Sequence, residues 1–149
     1  QIATGLDCHI AVAARADVDP TRIVTFGRSL GTAVATHVAA SRPVAGVVLV
    51  SPYDSMTAIG SHHYPWLPVS LLLRHRFDAV AEAPACRMPL LAIVAEDDTI
   101  IPVARSRALY DAWAGPKSWY PIPRQDHNTL GTSAEFWQQI AGFLQATRH

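Results

Sequence analysis

The run VAGVVLVS, Val44 to Ser51, constrains the fold more than any other part of the chain. It is apolar and largely β-branched, with no polar residue alternating into it until the end. That pattern belongs to a strand covered on both faces, as in a parallel sheet. A second run of the same kind, LLAIVA, follows at Leu90 to Ala95. Strands sealed on two sides need helices over both faces, and the remaining segments supply them. Leu6 to Ala14 reads as a helix, Ile23 to Phe26 as a short strand, and LGTAVATHVAAS as the helix after it. The small residues Thr32, Ala33, Ala35 and Ala39 let that helix lie close on a sheet. Pro102 to Trp113 is predicted helical, with Pro102 near its first turn and Gly115 just past its end. KSWYPIP is a last strand, and Ser133 to Ala146 an amphipathic helix with Ser133 as its cap. The fold class is α/β, a parallel sheet with helices on both faces.

At 149 residues the chain suits one domain with a real core. Its formal net charge is zero and its Lys and Arg residues are scattered. That distribution argues against a nucleic-acid partner or a polyionic substrate. Cys8 and Cys86 lack metal-ligand spacing, and they leave the redox compartment open. The longest apolar candidate, around Pro68 to Leu73, is far too short to cross a bilayer. The chain opens on Gln1, which leaves localisation unknown, cytoplasmic or membrane-associated through an N-terminal anchor outside this sequence. Oligomeric state is likewise open. Between the two buried strands lies a proline- and aromatic-rich insertion, about residues 55–88, that reads as a lid or small cap.

In parallel sheets, ligands gather at the carboxyl ends of the strands. Those ends carry reactive types in a meaningful order. Ser29 follows the first strand inside Gly27-Arg28-Ser29-Leu30-Gly31, and Asp54 follows the second in SPYDS. Asp97 and Asp98 follow the third in EDDTIIP, and His127 follows the fourth in RQDHNTL. A serine hydroxyl is a weak nucleophile until a base takes its proton, and the base needs a carboxylate to hold its tautomer. A glycine-flanked serine at a strand-to-helix turn lifts that hydroxyl out of the sheet. The chain order Ser, Asp, His differs from that of the chymotrypsin and subtilisin types.

The segments GRSLGTAVATHVAA, VVLVSPYDS, PLLAIVAEDDTIIPVARSRALYDAW and DHNTL resemble the α/β-hydrolase superfamily. More narrowly they resemble its serine-aminopeptidase-like branch of small bacterial hydrolases, from about Leu6 to the end. The resemblance implies a nucleophile at Ser29, a base at His127 and an acid within the EDD turn. Asp98 is preferred, because Thr99-Ile100-Ile101-Pro102 after it matches the family pattern. Asp97 would then cap the loop, and Asp54 would cap a short helix near Met56, although some members take the acid from the preceding strand. The resemblance also places one oxyanion-hole donor at the Leu30 N–H. A second is expected from a His-Gly loop after an earlier strand that this chain does not contain. On this reading residues 1–149 form a partial hydrolase domain, its N-terminal strands missing.

The expected activity is cleavage of a carboxylic ester or thioester by acyl transfer, on a small-molecule ester or acyl substrate. No cofactor or metal is required. Tyr53, Tyr64 and Trp66, with Leu67 to Leu73, are expected to form the apolar substrate wall. His62 and His63 are adjacent, which suits no metal site but allows a substrate contact from the cap. Asp126 reads as a turn residue. Two alternatives remain. One is an aminopeptidase-type enzyme of the same fold, disfavoured because Ser61 to Leu73 carries no carboxylate to hold a free amino group. The other is a non-catalytic half-domain that associates through the exposed edge of the Ile23 to Phe26 strand.

Overall fold

Four parallel strands run side by side in chain order, in the computed structural model, which describes residues 2–68 and 78–147. They are β1 (Val24–Arg28), β2 (Gly46–Val50), β3 (Leu90–Ala95) and β4 (Lys117–Ile122). Val24 stands opposite Gly46, Val47 opposite Leu90, and Leu90 opposite Lys117. Both apolar runs of the sequence are the central strands, and every residue of β2 and β3 is buried. Burying each such Val, Leu or Ile side chain contributes about 1.5–3 kcal/mol. β4 carries Pro121 and forms one edge, the place in a sheet where a missing N–H is tolerated.

Helix α1 (Ile2–Ala13) precedes β1, and α2 (Gly31–Ser41) joins β1 to β2. Helices α3 (Met56–His63) and α4 (Ala79–Glu82) lie between β2 and β3, α5 (Val103–Ala112) joins β3 to β4, and α6 (Ala134–Ala146) ends the fold. Strands stepping one way through crossovers of one hand place all their connecting helices on one face. The core obeys this rule. Val47, Leu49 and Leu90 pack with Ala35 and Ala39 of α2, Ala79 of α4 and Leu109 of α5. Their alternates Val48, Val50, Leu91 and Ile93 pack on the other face with Phe136 and Ile140 of α6. Thr32, Ala33, Ala35 and Ala39 are all buried, as the close approach of α2 to the sheet requires.

Three local expectations are corrected. β1 runs two residues beyond Phe26, because its ladder with β2 continues to the Arg28–Val50 pair and carries Gly27 into the sheet. Ser133 stands at the N-cap of α6 but its side chain makes no capping bond. The cap of α3 is Ser55, whose Oγ accepts from the Ala58 N–H, and not Asp54. Of the predicted cap, residues 69–77 lie outside the described residues, and with them most of the Leu67 to Leu73 wall.

β1 forms the second edge. Ile23 C=O accepts from Ala45 N–H and Ser29 N–H donates to Val50 C=O, both across to β2. Alternation therefore turns the backbone groups of Val24, Phe26 and Arg28 outward. Along this edge α1 and α2 flank an apolar groove of about 650 Å³, lined by Val12, Ile23, Phe26, Leu30 and Val34 among others. No helix among the described residues is long and apolar enough to cross a membrane.

Both cysteines are free thiols. Cys86 is sealed in the core, and burial, with a smaller push from the Glu82 charge, raises its thiol to about 11. Cys8 is exposed on α1. An aromatic disulfide reagent at pH 8 should therefore titrate one thiol in the native protein and the second only with denaturant.

Candidate active site

The site begins at the break between β1 and α2. Ser29 has φ 50°, a left-handed conformation that a non-glycine residue adopts at a cost of about 1–3 kcal/mol. The turn is held from both sides: Ser29 N–H donates to Val50 C=O at 2.9 Å, and Ser29 C=O accepts from the Thr32 N–H at 2.9 Å and the Thr32 hydroxyl at 2.6 Å. Gly27 makes the close approach of α2 possible, since a Cβ there would fall 2.5 Å from Gly31 O and 2.7 Å from Thr32 Cα. Gly31 is different. A Cβ on it would meet nothing within 4 Å. Leu30, at the start of α2, is exposed.

Asp98 and His127 meet beside the carboxyl ends of β3 and β4. Asp98 Oδ2 lies 2.8 Å from His127 Nδ1, with the carboxylate side chain 2% exposed and the imidazole 11%. Its other oxygen accepts the Ile100 and Ile101 N–H groups at 3.0 and 2.7 Å. A carboxylate only accepts, so Nδ1 carries the hydrogen in this pair and Nε2 of the neutral ring keeps its lone pair. The histidine loop is organised by its neighbour. Asp126 Oδ1 accepts the Asn128 and Thr129 N–H groups, which hold the Asp126 carboxyl below its ordinary range. Arg28, one residue before Ser29, donates from Nη2 to the His127 carbonyl at 2.6 Å.

The rival carboxylates lie elsewhere. Asp54 pairs with Arg105 at 3.0 Å and accepts the Ser55 N–H at 2.7 Å. Asp97 is exposed, and its backbone N–H donates to Gln125 C=O. Tyr53 is 1% exposed inside the core, with no hydrogen-bond partner for its hydroxyl among the described residues, and burial pushes that hydroxyl up to about 12. Tyr64 and Trp66 are largely exposed and meet edge to face, with ring centroids 6.3 Å apart. His63 Nε2 lies 2.8 Å from the Ile100 carbonyl, tying α3 to the acid turn. Among the described residues no group of three His, Cys, Asp or Glu side chains is placed to hold a metal ion.

Sequence reasoning missed Arg28, at the end of β1, and Arg105, in the first turn of α5, because a lone arginine carries no pattern. It also missed Ser51, whose φ of 45° repeats the left-handed break one strand over. The polar SPYDS after an apolar run was the available signal for that break.

The profile of the serine hydrolase family matches residues 7–145. The chain belongs to the serine hydrolase family. An uncharacterized protein of Mycobacterium tuberculosis, Rv2307c, is 41% identical over 114 residues, which is 76% of this chain and 41% of that protein. The α/β hydrolase domain-containing protein aho-3 of Caenorhabditis elegans is 24% identical over 129 residues, 85% of this chain and 37% of its own length. The chain thus spans about two fifths of the curated relatives it matches. Among solved structures, acetyl xylan esterase 1 from Thermoanaerobacterium superposes with a TM-score of 0.80 at 18% identity, over 99% of this chain and 52% of the esterase. The monoacylglycerol lipase of Paleococcus ferrophilus gives 0.72 at 19% identity, over 98% and 76%. The fold is that of the α/β-hydrolase superfamily.

The two glycines of the elbow should separate cleanly. Gly27→Ala forces a methyl against backbone and should cost on the order of 1–3 kcal/mol. Gly31→Ala should be neutral or stabilising in this first helical turn. Thermal or urea denaturation of the pair checks both.

Proposed function

We propose that this serine hydrolase cleaves a carboxylic ester or thioester by acyl transfer through Ser29, His127 and Asp98. The Asp98–His127 hydrogen bond carries the reading, because it fixes the tautomer that leaves Nε2 free to act as a base. Ser29 Oγ attacks the carbonyl carbon while His127 takes its proton. The tetrahedral intermediate collapses, the bond to the leaving oxygen or sulfur breaks, and His127 returns the proton to that group. Water then adds to the acyl-serine by the same steps in reverse order, giving the acid and free Ser29. Asp98 orients the ring and stabilises the imidazolium formed in between. The Leu30 N–H, at the open start of α2, donates to the developing oxyanion. The esterase and lipase names of the structural neighbours, together with the exposed Tyr64–Trp66 pair, favour an ester of apolar character.

A fluorophosphonate probe should label the protein, and Ser29→Ala should abolish the labelling. Asp98→Asn should lower turnover on the order of 10⁴-fold. Asp54→Asn, which weakens a part-buried pair with Arg105, should cost about 1–3 kcal/mol of stability and little activity. If Asp54→Asn is the more damaging of the two, the acid has been misassigned.

The open edge of β1 favours a second reading, association of the 149-residue polypeptide with a copy of itself. An outward row of backbone donors and acceptors over an apolar groove is a template for another strand. Size-exclusion chromatography of this polypeptide should give species larger than a monomer, and Phe26→Lys should reduce them. A monodisperse wild-type monomer overturns the reading.

A further inference from the structure

Arg28 occupies the variable position before the serine in the elbow, where the sequence motif asks for nothing in particular. It is the last residue of β1, so its backbone is fixed by the ladder with Val50 on one side and by the Ser29 turn on the other. Its guanidinium leaves that anchored backbone, crosses to a loop 99 residues away in sequence, and donates to the carbonyl of His127 at 2.6 Å. The far end of the same group lies over the one-turn helix Leu130–Thr132, where a Cβ built on Gly131 would be 4.0 Å from Arg28 Nη1. Among the described residues this is the side-chain hydrogen bond that joins the elbow to the histidine loop.

The loop needs such a link. Its internal bonds, Asp126 to Asn128, Thr129 and Leu130, fix its shape but not its distance from Ser29. Asp98 holds the imidazole from the β3 side, and Asp97 N–H donates to Gln125 C=O just before the loop, but neither bond involves the elbow. Leu130 anchors the loop in the core on the far side of the sheet from α2. A donor rooted one residue from the nucleophile and bonded to the backbone of the base closes the triangle.

We propose that Arg28 is a positioning residue that sets His127 against Ser29, an inference that rests on the triad proposed above. Proton transfer between serine and histidine depends steeply on their separation, and displacements near an ångström cost up to two orders of magnitude in rate. The Arg28 side chain is solvent-exposed, so its loss changes the fold's stability little. That separates a positioning role from a structural one.

The test measures, in the protein and in its Ser29→Ala, Arg28→Ala and Arg28→Lys variants, the second-order rate of fluorophosphonate labelling and the kcat and KM for p-nitrophenyl acetate. Melting temperatures are recorded alongside. Arg28→Ala should lose about tenfold in labelling rate and in kcat, with KM and melting temperature unchanged. Arg28→Lys, which keeps one cationic donor, should recover most of the loss. Wild-type labelling by Arg28→Ala overturns the proposal, as does a loss that lysine fails to rescue or that tracks a fall in melting temperature. The triad reading is tested separately: if Ser29→Ala still labels, that reading falls, whereas an inert Ser29→Ala beside a fully reactive Arg28→Ala removes only the role of Arg28.

Discussion

Strands β2 and β3 are buried on both faces, and this double burial decides where everything else goes. Backbone groups in such strands can be satisfied only by neighbouring strands, so β1 and β4 are recruited as flanks. Side chains on both faces need cover, so the connecting helices take one face and α6 the other. Each strand then ends abruptly at the same edge, where the chain must turn onto the helical layer. Three residues there have left-handed backbone: Ser29 after β1, Ser51 after β2 and Arg124 after β4. The strain sits at the rim of a sheet that is too well packed to relax it.

The candidate site grows out of those breaks. At β1 the break presents Ser29, with Gly27 making room for α2 beneath it. At β3 the break becomes a turn whose backbone N–H groups converge on Asp98, so one carboxylate both closes its own turn and holds the imidazole of His127. A single side chain thus ties two strand ends together. Asp54 shows what the same residue type does when its neighbour differs: beside Arg105 it becomes part of the packing under α5.

The architecture was legible because apolar runs such as Val47 to Val50 and Leu90 to Ala95 admit one environment. Boundaries were less so. Gly27 and Arg28 have no strand propensity of their own and are extended because β2 continues beside them, a tertiary effect that a local reading does not contain. The family resemblance pointed to Asp98 rather than Asp97 through the residues up to Pro102, and Asp98 is the one of the two that bonds to His127. By contrast, the burial of Tyr53 was hidden: an aromatic ring beside a strand end looks the same in sequence whether it lines a cleft or fills the core. The pairings of Arg28 with His127 and Arg105 with Asp54 span 99 and 51 residues, and nothing short of the assembled sheet brings them together.

Among the described residues the sheet contains no hairpin. Every strand pair is parallel and separated in sequence by a full crossover, so no two adjacent strands can zip from a tight turn. Folding must close loops of many residues before any ladder bond rewards them, which makes topologies of this kind slow to form. During that interval the most apolar segments, β2 and β3, are the ones still seeking partners. The feature that makes the native centre the driest part of the molecule is therefore also its main exposure to misassembly while the chain is being made, and the point where a chaperone would have most to hold.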